Sequence, residues 1–337
     1  MSRLYLSCSA AILWVVVAFI SAAPVGAAEV KCLPDDTDLV VVVNLKQIFH
    51  SELVKSQPDA LGELKEVLGE FAGAHRVQKY LNEVGIDVFR DLSSITYAYP
   101  SSKDSGPNFL ILEGEFSGVK MNDAARANGA TVRVNTSGSD SLYEITPRGE
   151  KRFYAVLVNP STLLAAATED SLVSALARAS GSKKSSLKKA MSTVLESAGT
   201  RQSVTFVSSG ASLARRLEGT SIPNAERVTA FLQALDTVSG GITLAKGIQF
   251  QLASNAESDD TAKKLAESAN GALRILLTLV RQHAEKDPTL GPVAEVVTGL
   301  SFTTDGSGIA FRGEVSLNTL EKLMNRFPVK PPASGRK

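Results

Sequence analysis

Two four-residue phrases set the strongest constraint on this fold. Ile95-Thr96-Tyr97-Ala98 and Ile242-Thr243-Leu244-Ala245 stand 147 positions apart. Each leads through a turn into a segment of alternating polarity: residues 109–116 after the first, residues 248–253 after the second. A period of two marks a strand with one face buried and one wet, the habit of antiparallel sheets. The recurrence of phrase, turn and strand points to an internal duplication.

The flanking segments fit that plan. The β-branched run Asp38-Leu39-Val40-Val41-Val42-Val43-Asn44-Leu45 predicts a buried strand, and Ser203–Ser208 occupies the corresponding place later. Helices are expected over 59–71 and 76–84 in the first half and over 224–237 in the second. After the alternating strands come a short helix, 121–128, and a long one, 259–285. Ser258 is placed to cap the long helix, with Asp259 and Asp260 in its first turn. Leu265, Ala269, Ala272, Leu276 and Val280 give it an inward stripe, widened by Leu273, Leu277 and Leu279. Strands 142–145, 153–158 and 163–167 and helix 170–179 close the first half. Strands 300–304 and 309–315, joined at Asp305-Gly306-Ser307-Gly308, and helix 317–326 close the second. The fold class is therefore α+β: two similar halves, each a mainly antiparallel sheet with helices packed on one face. The halves span 29–180 and 201–327. A Ser/Lys-rich joint with a bridging helix, 187–197, fills 181–200, and the Pro-rich tail 328–337 is expected to be disordered.

The first 28 residues address the chain for export. Arg3 precedes an apolar run through Ile20, Pro24 breaks it, and Gly26-Ala27-Ala28 offers the small residues of a cleavage site. The alternative is an uncleaved anchor through residues 10–28. Cleavage after Ala27 or Ala28 leaves about 309 residues, a periplasmic or extracellular chain with no stable membrane insertion. Arg3 is the only charge removed, so 35 basic residues then balance 35 acidic ones. Such a chain lacks the cationic surplus that nucleic acid requires. Trp14 and Cys8 leave with the signal, so Cys32 is the one remaining thiol and no intramolecular disulfide can form. It is either a free, partly buried thiol or an intermolecular partner.

Chemistry-bearing motifs are sparse. His50, His75 and His283 are far apart, without a second ligand at metal spacing. Asp35-Asp36-Thr37-Asp38 has the charge for a hard cation but reads as a solvated turn before the first strand. There is no Gly-x-Ser-x-Gly elbow and no phosphate loop. Ser-x-x-Lys occurs at 117/120, 180/183, 185/188, 186/189 and 334/337, mostly in the Ser/Lys-rich joint and without a Lys-Thr-Gly partner. Glu113 and Glu115, two apart on one strand, share a face, as do Tyr97 and Tyr99. No catalytic, cofactor or metal residue is assigned.

Residues 33–44, Leu-Pro-Asp-Asp-Thr-Asp-Leu-Val-Val-Val-Val-Asn, and the continuation Ile48-Phe49-His50-Ser51-Glu52-Leu53-Val54-Lys55 resemble the mature N-terminus of uncharacterised secreted proteins of planctomycete-type bacteria. The resemblance covers about 25 residues. It implies export and a duplicated α+β fold, and no activity. The sequence thus points to an exported, non-enzymatic binding or structural protein with an unknown protein or small-molecule partner. Two alternatives stand beside it: a carrier of an apolar ligand held between the sheet and helix 259–285, and a hydrolase using Glu113 and Glu115.

Overall fold

The computed structural model describes residues 30–56, 74–101, 108–137, 140–184, 202–217, 225–233 and 235–326, together with residues 187, 191, 192 and 195. The expected signal segment, the expected helix 59–71, most of the expected bridging helix and the expected disordered tail lie outside them. The first half comprises β1 (Thr37–Val43), α1 (Leu45–His50), α2 (Glu52–Ser56), α3 (Ala74–Glu83), α4 (Val88–Asp91), β2 (Leu92–Pro100) and β3 (Phe109–Gly114). It continues through α5 (Gly118–Ala127), β4 (Val132–Ser137), β5 (Asp140–Ile145), β6 (Phe153–Asn159), β7 (Thr162–Ala166) and α6 (Glu169–Ala179). The second comprises β8 (Val204–Ser209), α7 (Gly210–Leu217), α8 (Ala225–Gln233), β9 (Thr237–Leu244) and β10 (Gly247–Asn255). Then follow α9 (Asp259–Lys286), a 3-10 turn (Pro288–Leu290), α10 (Gly291–Thr298), β11 (Ser301–Asp305), β12 (Gly308–Ser316) and α11 (Leu317–Arg326).

All twelve strands form one antiparallel sheet in the order β11-β12-β10-β9-β8-β1-β2-β3-β7-β6-β5-β4. The initial strands of the two halves, β1 and β8, pair at its centre with Val41 opposite Phe206. Outward from that pair the connection order is the same on both sides. The second and third strands follow in sequence, the chain crosses through helices, and the last strand returns beside the third. The first half carries an additional hairpin, β4–β5.

The two Ile-Thr phrases occupy the second strand of each half, but at opposite ends. Ile95 pairs with Val43, next to the helix that follows β1. Ile242 pairs with Val204, at the start of β8. Strand order therefore matches while the phrases themselves do not overlie one another. The shared phrase follows from the demands of a buried strand, which Ile and Thr meet at either end.

Local chemistry explains the element ends. Asn44, Ser117, Thr168 and Ser258 each cap a helix by accepting from the backbone N–H three residues on. Gly306, at φ +56°, makes the two-residue turn between β11 and β12. Several elements depart from the sequence reading, the short helix α4 among them. β4 forms where none was expected, pairing through the alternation Val132-Arg133-Val134. β9 begins at Thr237, so helix 224–237 ends early. α7 and α10 were not anticipated. β3 stops at Gly114, two residues short of 116.

The larger core lies on one face of the sheet. Val41, Ile95, Tyr97, Leu110, Leu112, Phe206 and Ile242 meet Ile48 of α1, Leu81 of α3, Met121 of α5, Leu232 of α8 and Ala262 of α9. Among the described residues, the other face is covered over its middle only. There Val40, Val42, Phe109, Ile111, Leu164 and Val207 pack against Val30, Cys32 and Leu33, Leu172 and Ala175 of α6, and Leu187, Met191 and Leu195. This is why β1 is apolar at nearly every position: it is buried on both sides. Arg178, 3 % exposed, anchors the N-terminal segment by donating from Nη2 to the Cys32 carbonyl at 3.1 Å. Cys32 is thus buried under that anchor. Among the described residues no helix is long and apolar enough to cross a membrane.

Candidate binding site

A recess opens between α1, the turn after α3, α4, the start of β2, the end of β3 and the start of α5. Its volume is about 740 Å³, within the roughly 300–1,000 Å³ of small-molecule sites. Three local devices shape it. Gly85, at φ +76°, reverses the chain between α3 and α4. Asp87 caps α4, its Oδ1 accepting from the N–H of Phe89 at 2.8 Å and of Arg90 at 3.1 Å. That cap presents Phe89 edge-on to Phe49 of α1, with centroids 6.0 Å apart. Gly114 permits the third contact: a Cβ there would lie 2.1 Å from the Asp91 carbonyl oxygen. The same carbonyl accepts from the Glu115 N–H at 3.0 Å, so the end of β3 is tied to the end of α4.

The floor is apolar: Val84, Ile86, Leu92, Phe116 and Met121 are buried, and Phe49 and Phe89 are half-buried. The rim is charged. It carries Lys46, His50, Arg90 and Lys120 against Asp91 and Glu115. Arg90 grips Asp91 at two points, Nε to Oδ1 at 2.8 Å and Nη2 to Oδ2 at 2.9 Å. Hydrogen bonding from that guanidinium holds the Asp91 carboxyl below the usual carboxylate range. His50 directs its Nδ1 to the Lys46 carbonyl at 2.7 Å.

A second groove of about 320 Å³ lies on the uncovered face of β9, β10 and β12. Gln202, Thr243, Gln249, Gln251, Arg312 and Glu314 line it, so it is polar and shallow.

The residues singled out from sequence fall into different places. Glu113 accepts from the Ser94 hydroxyl, whereas Glu115 has left the strand and stands on the recess rim. The early end of β3 thus separates the expected carboxylate pair. Tyr97 is fully buried at the sheet centre, its hydroxyl without a hydrogen-bond partner, and burial pushes its phenol up. Tyr99, centroids 6.5 Å away, lies under the Arg216 guanidinium. The acidic run disperses. Asp38, 3 % exposed, pairs with Arg215 of α7 at 2.9 Å and accepts from Ser209, while Asp35 faces Arg178 and Lys183. Asp38 therefore ties β1 to the second half and is no solvated turn residue. Ser117 and Lys120 are a helix cap: the Ser117 hydroxyl accepts from the Lys120 N–H. His50 and His283 lie on separate helices, and His75 is in α3. No group of three or more His, Cys, Asp or Glu converges among the described residues.

Helix α9 packs on the core through its first turns. Ala262 and Ala266 are buried and Leu265 packs on the core, but Leu276 and Val280 are only half-buried against the α10 side. Ile275 and Leu279 are exposed, at 65 % and 49 %. The recess that does exist is built from residues 46–121, and no local motif announced it. Its aromatic residues, Phe49, Phe89 and Phe116, come from three segments far apart in the chain.

No family model matches the chain, and no curated protein matches it. Among solved structures, crystal form III of TP0453 is similar, with a TM-score of 0.45 and 10% identity over 91% of this chain and 99% of that one.

Proposed function

We propose that this chain is an exported, non-catalytic protein that binds a small molecule in the recess between α1, α4 and α5. The recess carries the proposal. It has the volume of a ligand site, an apolar floor and a few charged groups at its mouth. The carboxylates nearest to it are engaged or isolated: Asp91 is held by Arg90, and Glu113 by Ser94 on the adjacent strand. Neither arrangement offers the paired acid and base of a hydrolase. Export is inferred from residues 1–28. The two-half plan is inferred from the common strand order, with β1 and β8 as the joint, and it serves architecture by making one continuous sheet.

Native mass spectrometry of protein recovered from the exported fraction tests both parts. The expected mass is that of a chain starting at Ala28 or Glu29, accompanied by an adduct of a few hundred daltons that is lost on denaturation. A full-length mass beginning at Met1 would contradict cleavage. A bare mature mass, with no adduct under gentle desolvation, would contradict the binding role.

A further inference from the structure

We infer that the recess takes an amphiphilic anion: a medium-chain alkyl group with a single carboxylate head. This rests on reading the recess as a ligand site and adds the chemistry of its occupant. The floor selects the tail. Val84 and Met121 are essentially inaccessible from outside (0% and 1% exposed), while Phe49 and Phe89 turn only part of their rings away from solvent. A chain laid along Phe49, Phe89 and Phe116 removes that remaining apolar surface from water, at about 25 cal/mol per Å² buried. The side chains of Phe49, Val84, Ile86, Phe89, Phe116 and Met121 offer no hydrogen bond, so a sugar or a peptide laid against them would leave its own polar groups unpaired there.

The rim selects the head. Arg90 and Asp91 neutralise each other through their two-point contact. His50 already directs its Nδ1 to the Lys46 carbonyl. That leaves Lys46 of α1 and Lys120 of α5 on the walls, with the Glu115 carboxylate beside them and Asp91 within the electrostatic reach of Lys120. Neither lysine makes an ion pair among the described residues. The mouth therefore carries one net positive charge, and its cations sit on flexible stems that can follow a head group. A cationic head would meet two ammonium groups, and a neutral one would leave both unused. Because a surface lysine is well hydrated, the head contributes selectivity rather than most of the affinity.

Isothermal titration of the mature protein with dodecanoate, dodecan-1-ol, butyrate and dodecyltrimethylammonium tests this below their micellar concentrations. Dodecanoate is expected to bind one to one, with dodecan-1-ol and butyrate each at least about tenfold weaker and the ammonium weakest. The double variant Lys46→Gln/Lys120→Gln changes two exposed helix positions and should keep the fold. It should bring dodecanoate down to the level of dodecan-1-ol while leaving dodecan-1-ol unchanged. Ile275→Ser/Leu279→Ser, on the exposed flank of α9, should change nothing. Equal binding of the alcohol or preference for the ammonium overturns the anionic head. Equal binding of butyrate overturns the tail, sensitivity to the α9 variant overturns the location, and no binding by any probe overturns the inference. The underlying reading fails separately: an adduct of different chemistry in native mass spectrometry would sink this inference and leave the ligand site standing, whereas a bare mass would remove both.

Discussion

Phe206→Ala is expected to cost about 3–5 kcal/mol of unfolding free energy and to weaken the sheet on both sides of the β1–β8 pair at once. Phe206 is 4 % exposed on the larger core. It sits opposite Val41 on one side and Gly240 on the other, so its ring spans the joint between the halves. The ring fits because Gly240 has no side chain: a Cβ there would lie 2.5 Å from Phe206 Cε1 and 2.6 Å from Leu252 Cδ2. The pair is thus a large residue filling the space left by a small one. Gly240→Ala alone should cost about 1–3 kcal/mol by overpacking. Combined with Phe206→Ala, the added methyl enters the vacated volume, and the double variant should be more stable than additivity predicts by about 1 kcal/mol or more. Hydrogen exchange reports the reach of the change. Protection should fall in β2 and β3 as well as in β9 and β10. Loss confined to β9 and β10 would mean two independent units, contrary to a single shared sheet.

Gly210→Ala should cost about 3 kcal/mol, for a different reason. Gly210 opens α7 beside the end of α8, and a Cβ would stand 2.1 Å from the Leu232 carbonyl oxygen and 2.3 Å from that of Leu235. Both obstacles are backbone, so no rotamer change relieves them, and the two helices must separate. Gly271 is the control. It lies inside α9 with nothing within 4 Å of its missing Cβ. Gly271→Ala should therefore stabilise the protein by roughly 0.5–1 kcal/mol, the ordinary helix preference of alanine over glycine. Urea unfolding of both variants reads the contrast. Equal effects would show that close approach is not what holds Gly210.

The elements legible in the sequence were those with a local cause. The long helix announced itself through Ser258 and the two aspartates after it, and it runs Asp259–Lys286 as expected. The Asp305–Gly308 turn and helix 317–326 were equally plain, because glycine chemistry and helical periodicity act over a few residues. What escaped depended on partners far away in the chain. Val132–Ser137 is a strand because β5 lies beside it, and its two flanking turns gave little warning. Asp38 looked like part of a wet turn, and only the fold brings Arg215 to it from 177 positions away. The two Ile-Thr phrases both lie in strands, β2 and β9, yet at opposite ends of them, since burial on a sheet constrains residue type more than position along the strand. The recess was invisible for the same reason: Lys46, Phe89 and Phe116 carry no shared spacing, and only Gly114 and the Asp87 cap bring them together.

Amide chemical-shift mapping of the isotope-labelled mature protein with dodecanoate tests the binding site most directly. The expected shifts cluster at Phe49, Gly85, Phe89, Glu115 and Phe116, around the recess. Shifts confined to Gln249, Gln251 and Arg312 in the polar groove, or to Ile275 and Leu279 on α9, would contradict it.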